Sequence, residues 1–527
     1  MRDVISVHRN SSRTPRLLLA AGLAAAAFAA SLPAGTSARA DAAPSASVPP
    51  PRPSTAAEAR TDAWLASHPQ EAGRFFRDLP KGGDLHNHLS GAVRTEYLIQ
   101  LAAEDGLCID ATMTAVAAPC ATGTRPAADA LTDSRFRQEI VRAWSMQDFP
   151  QGQSGHDHFF ATFGKFGAAT SNRGKMLADV AGTAAAQNQT YLETMVSPAS
   201  AGARQLAADV GWDADLASLH RKLLAGGRLD QLVTTAKQEA DTADAEFREA
   251  AHCATSSPRP ACRITVRWVS QVSRNSAPER VFTQIALGLR LAERDQRFVA
   301  VNLVQPEDGE ISLRDYRLHM RMLNYLHGVY PAAHITLHAG ELVPGLVKPE
   351  DLTFHIDDAV RTGQAERIGH GVDLVHEDDW RSLARDMARR QIAVEVPLTS
   401  NAQILQVEGD EHPFPVYRKY GVPVVLSTDD PGVSRGDIGQ EYRRAARTYA
   451  LGYPELKDLA RASLEYSFLS GRSLWRSDPV RQGFRPVEEC RVLESARCAR
   501  FTARNPKAHL ERRQEESFRA FEARYAG

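Results

Sequence analysis

Residues 331–342 read PAAHITLHAGEL: a short apolar run, His334 to Leu337, stops abruptly at His338-Ala339-Gly340-Glu341. A buried strand that ends this way delivers an imidazole and a carboxylate into one small volume. Two further runs end alike. Lys81–Leu89, KGGDLHNHL, carries His86 and His88, and Val422–Pro431, VPVVLSTDDP, closes on Asp429 and Asp430. Strand side chains alternate with period two, so His86 and His88 project to the same side and can bind one ion together. His86, His88, His338 and Asp429 form a set of nitrogen and oxygen donors suited to one zinc or similar divalent ion. The chain reads as a metal-dependent hydrolase.

Working outward, eight short segments rich in β-branched residues predict strands: Gly83–His86, Thr190–Val196, Ile264–Val272, Phe298–Val304, His334–His338, Arg367–His370, Ile392–Pro397 and Val422–Ser427. Amphipathic stretches between them predict helices, among them Gly174–Gln187, Pro278–Arg297, Leu313–His327, Glu377–Arg390 and Gln440–Leu451. This alternation predicts a (β/α)₈ TIM barrel with a mononuclear metal site at the C-terminal ends of its strands. A doubly wound open sheet fits less well. The chain has no GxGxxG phosphate turn, and donors from the first and last strands would lie far apart in such a sheet.

Residues 1–16 carry Arg2, Arg9, Arg13 and Arg16, residues 17–32 are apolar, and Ala38-Arg39-Ala40 is a small-x-small site. This predicts a signal peptide, residues 1–40, cleaved after Ala40. The apolar run falls short of the ~20 residues that span a bilayer, so an exported protein free of the membrane after cleavage is expected. Whether it stays in a periplasm, at a wall or in the medium is left open. Residues 41–58, rich in Pro, Ala and Ser, predict a tether, and residues 59–527 the catalytic part, with the barrel over about 78–470 and a C-terminal extension over 471–527. A helix is expected over Thr55–Phe76, and 104–152 and 241–262 read as insertions. The six cysteines fall into close pairs, Cys108 with Cys120, Cys253 with Cys262 and Cys490 with Cys498. In an exported chain these predict three local disulfides. A structural zinc site built from them is disfavoured by the lack of CxxC spacing. Balanced charge, 63 Lys and Arg against 64 Asp and Glu, gives no long-range field for nucleic acid or acidic membranes. The oligomeric state is not legible.

Three imidazoles and one carboxylate leave zinc an open position for a water whose pKa falls to ~7. Glu341, three residues past His338, reaches a substrate without binding the metal. Kept protonated by burial, it can donate to a ring nitrogen. His370, in RIGHGVD between Gly369 and Gly371, either accepts a proton from the water or holds the nucleophile in line. Asp430 is expected to accept a hydrogen bond from substrate, since neighbouring strand-end residues point opposite ways. His156 and His158, in HDHFF, fall on a helix that splays them apart and read as helix residues lining or covering the pocket.

PKGGDLHNHLSGAV at 80–93, TLHAGEL at 336–342, RIGHGVDL at 367–374, PLTSNAQI at 397–404 and LSTDDPGV at 426–433, in this order, resemble the adenosine deaminase family of the amidohydrolase superfamily. The leading Pro-Lys-Gly and the exported, cysteine-containing chain look most like its secreted branch, the adenosine deaminase-related growth factors. The resemblance implies a barrel binding one zinc through His86, His88, His338 and Asp429. It also implies that Glu341 protonates purine N1, that His370 orients or deprotonates the nucleophile, and that Asp430 accepts from protonated N7, so that a purine nucleoside, adenosine and with it 2′-deoxyadenosine, becomes inosine or its 2′-deoxy counterpart with release of ammonia. Two positions depart from the pattern. Ser90 stands where many relatives have an aspartate that helps hold the ribose 5′-hydroxyl, and Gln305 replaces a glycine whose backbone N–H meets purine N3.

Rivals within catalysis are an adenine or other aminopurine deaminase, or a two-metal hydrolase. The second is disfavoured because no lysine stands at Val304-Gln305-Pro306-Glu307-Asp308 to bridge two ions. A nucleotide substrate would want a basic cradle near Ser90, and Arg94 alone is thin provision for one. A rival from another class is a non-catalytic extracellular binding or signalling protein on the same barrel, which would be expected to have lost a ligand or the proton donor.

Overall fold

A computed structural model describes residues 54–148 and 152–526. The expected signal peptide and most of the tether lie outside the described residues.

Eight parallel strands follow one another around a single sheet: β1 Gly82–His88, β2 Gln189–Val196, β3 Thr265–Ser273, β4 Phe298–Val304, β5 His334–Ala339, β6 Arg367–His370, β7 Ala393–Val396 and β8 Val424–Leu426. Each pairs in parallel with the next. Just past the end of β8 the ring closes onto β1: His88 N–H donates to Asp429 O (3.0 Å) and Asp429 N–H to His86 O (2.8 Å). His86, His88 and Asp429 are therefore fixed by the bonds that shut the barrel. β1 and β4 are buried along their whole length, as strands covered on both faces must be, and a continuous apolar core runs between strands and helices. Among the described residues no helix is long and apolar enough to cross a membrane.

Two sequence expectations are corrected. The helix foreseen over Thr55–Phe76 breaks into Ala56–Ser67, a short 3₁₀ turn and Ala72–Asp78. His68 precedes Pro69, and a residue before proline avoids the helical region; His68 ends the first helix at φ −124°, ψ 57°. Residues 241–250, read as part of an insertion, are the last turns of a 23-residue helix, Arg228–Ala250. Only the turn beyond it is irregular, and the Cys253–Cys262 disulfide closes that turn.

The described residues between 104 and 152 do form an addition. Cys108–Ile109, Ala115–Val116 and Arg125–Pro126 make a small antiparallel sheet tied by the Cys108–Cys120 disulfide. Asp133 then caps the helix Ser134–Trp144, and Ser154 caps Gly155–Phe166. Met146 N–H donates to Val433 O (2.8 Å), next to the end of β8, so the addition lies on the catalytic face. On the other side, helix Tyr453–Glu465 fills the last place in the helix ring. Its Ser463 hydroxyl donates to Lys81 O (2.9 Å) and accepts from Gly83 N–H (2.8 Å). Lys457 on this helix meets Glu58 (3.0 Å) and Glu522 (2.7 Å), joining the first helix to the closing helix Pro506–Tyr525. The third disulfide, Cys490–Cys498, braces the segment between.

Candidate active site

The ends of β1, β5 and β8 bring four donor atoms together. His338 Nε2 lies 3.1 Å from His86 Nε2 and 3.2 Å from His88 Nε2. Asp429 Oδ1 is 3.5 Å from His86 Nε2 and 3.2 Å from His88 Nε2. All four donors sit within 4.8 Å of one another and are buried. A tetrahedral ion with bonds of about 2.05 Å has donor separations of about 3.3 Å, so the spacing is that of a single coordination sphere. Imidazole lone pairs this close repel unless a cation or proton lies between them, and the chemistry of the set fits one divalent metal.

Each imidazole is aimed by its other nitrogen. His86 Nδ1–H donates to Glu395 Oε2 (2.7 Å), His338 Nδ1–H donates to Asn302 Oδ1 (2.8 Å), and His88 Nδ1 lies 2.7 Å from the Gln271 side-chain amide. Acceptors such as Glu395 and Asn302 fix the ring and raise its basicity. Burial raises Glu395, but Arg367 beside it and the His86 bond bring it down to about 2, so it stays an anion behind the ligand. The Ser400 hydroxyl donates to Asp429 Oδ2 (2.6 Å). Sequence reasoning missed Glu395, Asn302, Gln271 and Ser400. The available signal was a polar residue inside an apolar strand, as in AVEV and FVAVNLV, since a buried polar group needs a partner.

The remaining groups surround this cluster. Glu341, His370 and Asp429 also place donor atoms within 4.8 Å of one another. Burial, and then the charges of Asp429 and Glu307, push the Glu341 carboxyl well above its ordinary range, so it holds a proton. Burial likewise raises Asp429, but hydrogen bonds from His86 and His88 hold it well below the usual range. One carboxyl is therefore an anion and its neighbour a neutral acid. His370 Nδ1–H donates to Asn401 Oδ1 (2.8 Å), which leaves Nε2 buried without a protein partner. Asp430 is raised by burial and by Asp429, and its Oδ1 is also buried and unpartnered. A Cβ at Gly91 would lie 1.7 Å from that oxygen, so only glycine leaves room for it.

His370 (φ 66°), Asp429 (φ 61°) and Gln305 (φ 83°) are left-handed, a conformation costing of order 1–3 kcal/mol for a non-glycine residue. Gln305 is exposed, and its Oε1 accepts from Asn275 N–H (3.0 Å). Ser90 is half-buried in the turn after β1. Arg94 is engaged by Asp179, with Nε donating at 2.8 Å. His156 and His158 lie on helix Gly155–Phe166. His156 Nε2 meets Asp308 (3.1 Å) and His158 Nε2 meets Ser145 O (2.9 Å).

A (β/α)₈ barrel gathering imidazoles and an aspartate at the C-terminal ends of its strands defines the amidohydrolase class. The adenosine deaminase family model matches residues 169–474, a span holding β2 to β8 with His338, Glu341, His370, Asp429 and Asp430. The chain belongs to the adenosine deaminase family. An adenosine deaminase from Escherichia coli is 38% identical over 138 residues, covering 26% of this chain and 38% of that protein. Among solved structures, an ADAL–IMP complex is similar at 20% identity, covering 78% of this chain and 96% of that one, TM-score 0.50. An adenine deaminase from Arthrobacter aurescens is similar at 16% identity, covering 74% and 94%, TM-score 0.46.

Proposed function

We propose that the chain is a zinc-dependent hydrolytic deaminase that converts adenosine to inosine and ammonia, and with it 2′-deoxyadenosine to 2′-deoxyinosine. The observation carrying this reading is the juxtaposition of the four-donor cluster with a protonated carboxyl at Glu341 and an unpartnered imidazole nitrogen at His370. Zinc held by His86, His88, His338 and Asp429 would supply an acidified water as nucleophile. Glu341 gives its proton to purine N1 as C6 is attacked, which keeps negative charge from building on the ring. His370 Nε2 holds or takes a proton of the attacking water. Burial and Asp429 keep Asp430 protonated, so its carboxyl donates a hydrogen bond to N7, which explains a buried oxygen left without a protein partner. Water's oxygen ends on C6 as the carbonyl; one of its protons leaves on the amine as ammonia, the other restores Glu341, and the proton that Glu341 gave stays on N1.

Adenine or another aminopurine is the second reading. It is favoured by Gln305, which replaces the glycine that the family resemblance expects to meet purine N3, and whose exposed side chain is turned onto Asn275 N–H. Export through residues 1–40 belongs to the same proposal and is supported by three disulfides with no free cysteine among the described residues. The test is ammonia release, followed by ultraviolet absorbance, across adenosine, deoxyadenosine, adenine, AMP and cytidine. Fastest turnover of the two nucleosides is expected; turnover of adenine alone, or of none, overturns the assignment.

A further inference from the structure

Glu341 lies two residues beyond the end of β5 and outside any strand pairing, yet its carboxyl must be held to within about half an ångström to pass a proton efficiently. Two buried charged residues grip the turn that carries it. Glu307, in the loop after β4 and 1% exposed, accepts from Gly340 N–H on Oε1 (3.1 Å) and from Glu341 N–H on Oε2 (2.9 Å). Its Oε1 also accepts from His355 Nδ1–H (2.6 Å). Arg274, just after β3 and fully buried, donates through Nη2 to His338 O (3.0 Å) and Leu303 O (2.7 Å). Arg274 Nη1 stands 3.9 Å from Glu307 Oε2, so anion and cation close one frame around His338–Glu341. The turn has no slack: Gly340 is left-handed at φ +76°, and a Cβ there would meet Asp373 Oδ1 at 2.4 Å.

We infer that Glu307 is a positioning residue for proton delivery, holding Glu341 through the backbone N–H groups of the HAGE turn while Arg274 anchors the carbonyl at its other end. The inference rests on the proposed role of Glu341 as proton donor. An ionised acceptor makes bonds about twice as strong as a neutral one. A carboxylate offers an oxygen to each amide, whereas a carboxamide must turn a donor toward one of them. Glu307 bonds none of the four clustered donor side chains, and both of its backbone contacts fall on the turn that carries Glu341.

Glu307→Gln should keep its fold and close to wild-type metal content, change KM by less than about threefold and lower kcat roughly 10²-fold. The decisive readout is the double-mutant cycle. On a Glu341→Gln background the Glu307→Gln change should cost almost nothing, because the group it positions is already gone. Additive losses in the cycle, or kcat within about twofold of wild type, overturn the inference. Should Glu307→Gln fail to fold, Glu307→Asp keeps the charge opposite Arg274 but is too short to reach both amides, and its cycle with Glu341→Gln decides by the same criterion. Wild-type protein inactive on every aminopurine would sink the proposed function instead, a separable result.

Discussion

At the scale of single residues, the chemistry depends on neighbouring carboxyls held in opposite protonation states. Glu341→Gln should bind metal and fold normally yet lose kcat by roughly 10³- to 10⁴-fold; steady-state kinetics near wild type would remove Glu341 from the mechanism. Glu395→Gln should leave the barrel intact and weaken metal binding about 10- to 100-fold, read by competition with a chelator. Unchanged affinity would make the Arg367–Glu395–His86 chain ornamental. His86, His88, His338, Glu341, His370, Asp429 and Asp430 were visible in the sequence because each terminates or follows an apolar run. Their supports were not, because Asn302 reaches His338 and Glu395 reaches His86 only once parallel pairing sets strands from distant sequence side by side. The left-handed backbone at His370 and Asp429 was equally hidden, since nothing in either residue type requires it.

At the scale of elements, the helix Gly155–Phe166 is fastened to the loop after β4 by His156 and Asp308. Burial disfavours charge on His156, but Asp308 and then Asp157 raise it to about 9. The folded value lies above the ordinary 6.5, so the stabilisation is complete below about pH 6.5 and is lost as pH rises through about 9. Amide exchange along this helix, corrected for intrinsic rates, should quicken between about pH 7 and pH 10 in wild type but not in His156→Gln. Equal pH dependence in both would discard the latch. The sequence marked His156 as a residue covering the pocket. Its partner was invisible because 152 positions separate the two. The strands were legible to within a few residues, whereas the helix break at His68-Pro69 was overlooked: the amphipathic pattern continues across a proline that the backbone cannot.

At the scale of the whole molecule, β1 closes against the end of β8, and the same bonds bring His86, His88 and Asp429 to one point. The ring is then clasped on its outside by Lys457, which neutralises Glu58 and Glu522 from opposite ends of the described chain. Lys457→Ala would leave both carboxylates buried without their cation and should cost about 3–5 kcal/mol in urea unfolding; a loss below about 1 kcal/mol would mean the clasp carries no stability. Alternation of strand and helix made the barrel readable in advance. The clasp was not, because buried charge looks like surface charge until the packing is known. The most direct measurement is a zinc titration of chelator-treated protein, with adenosine turnover followed at each addition. Activity should rise from near zero to a plateau at one zinc per chain; full activity before any metal is added, or none at saturation, would contradict the account.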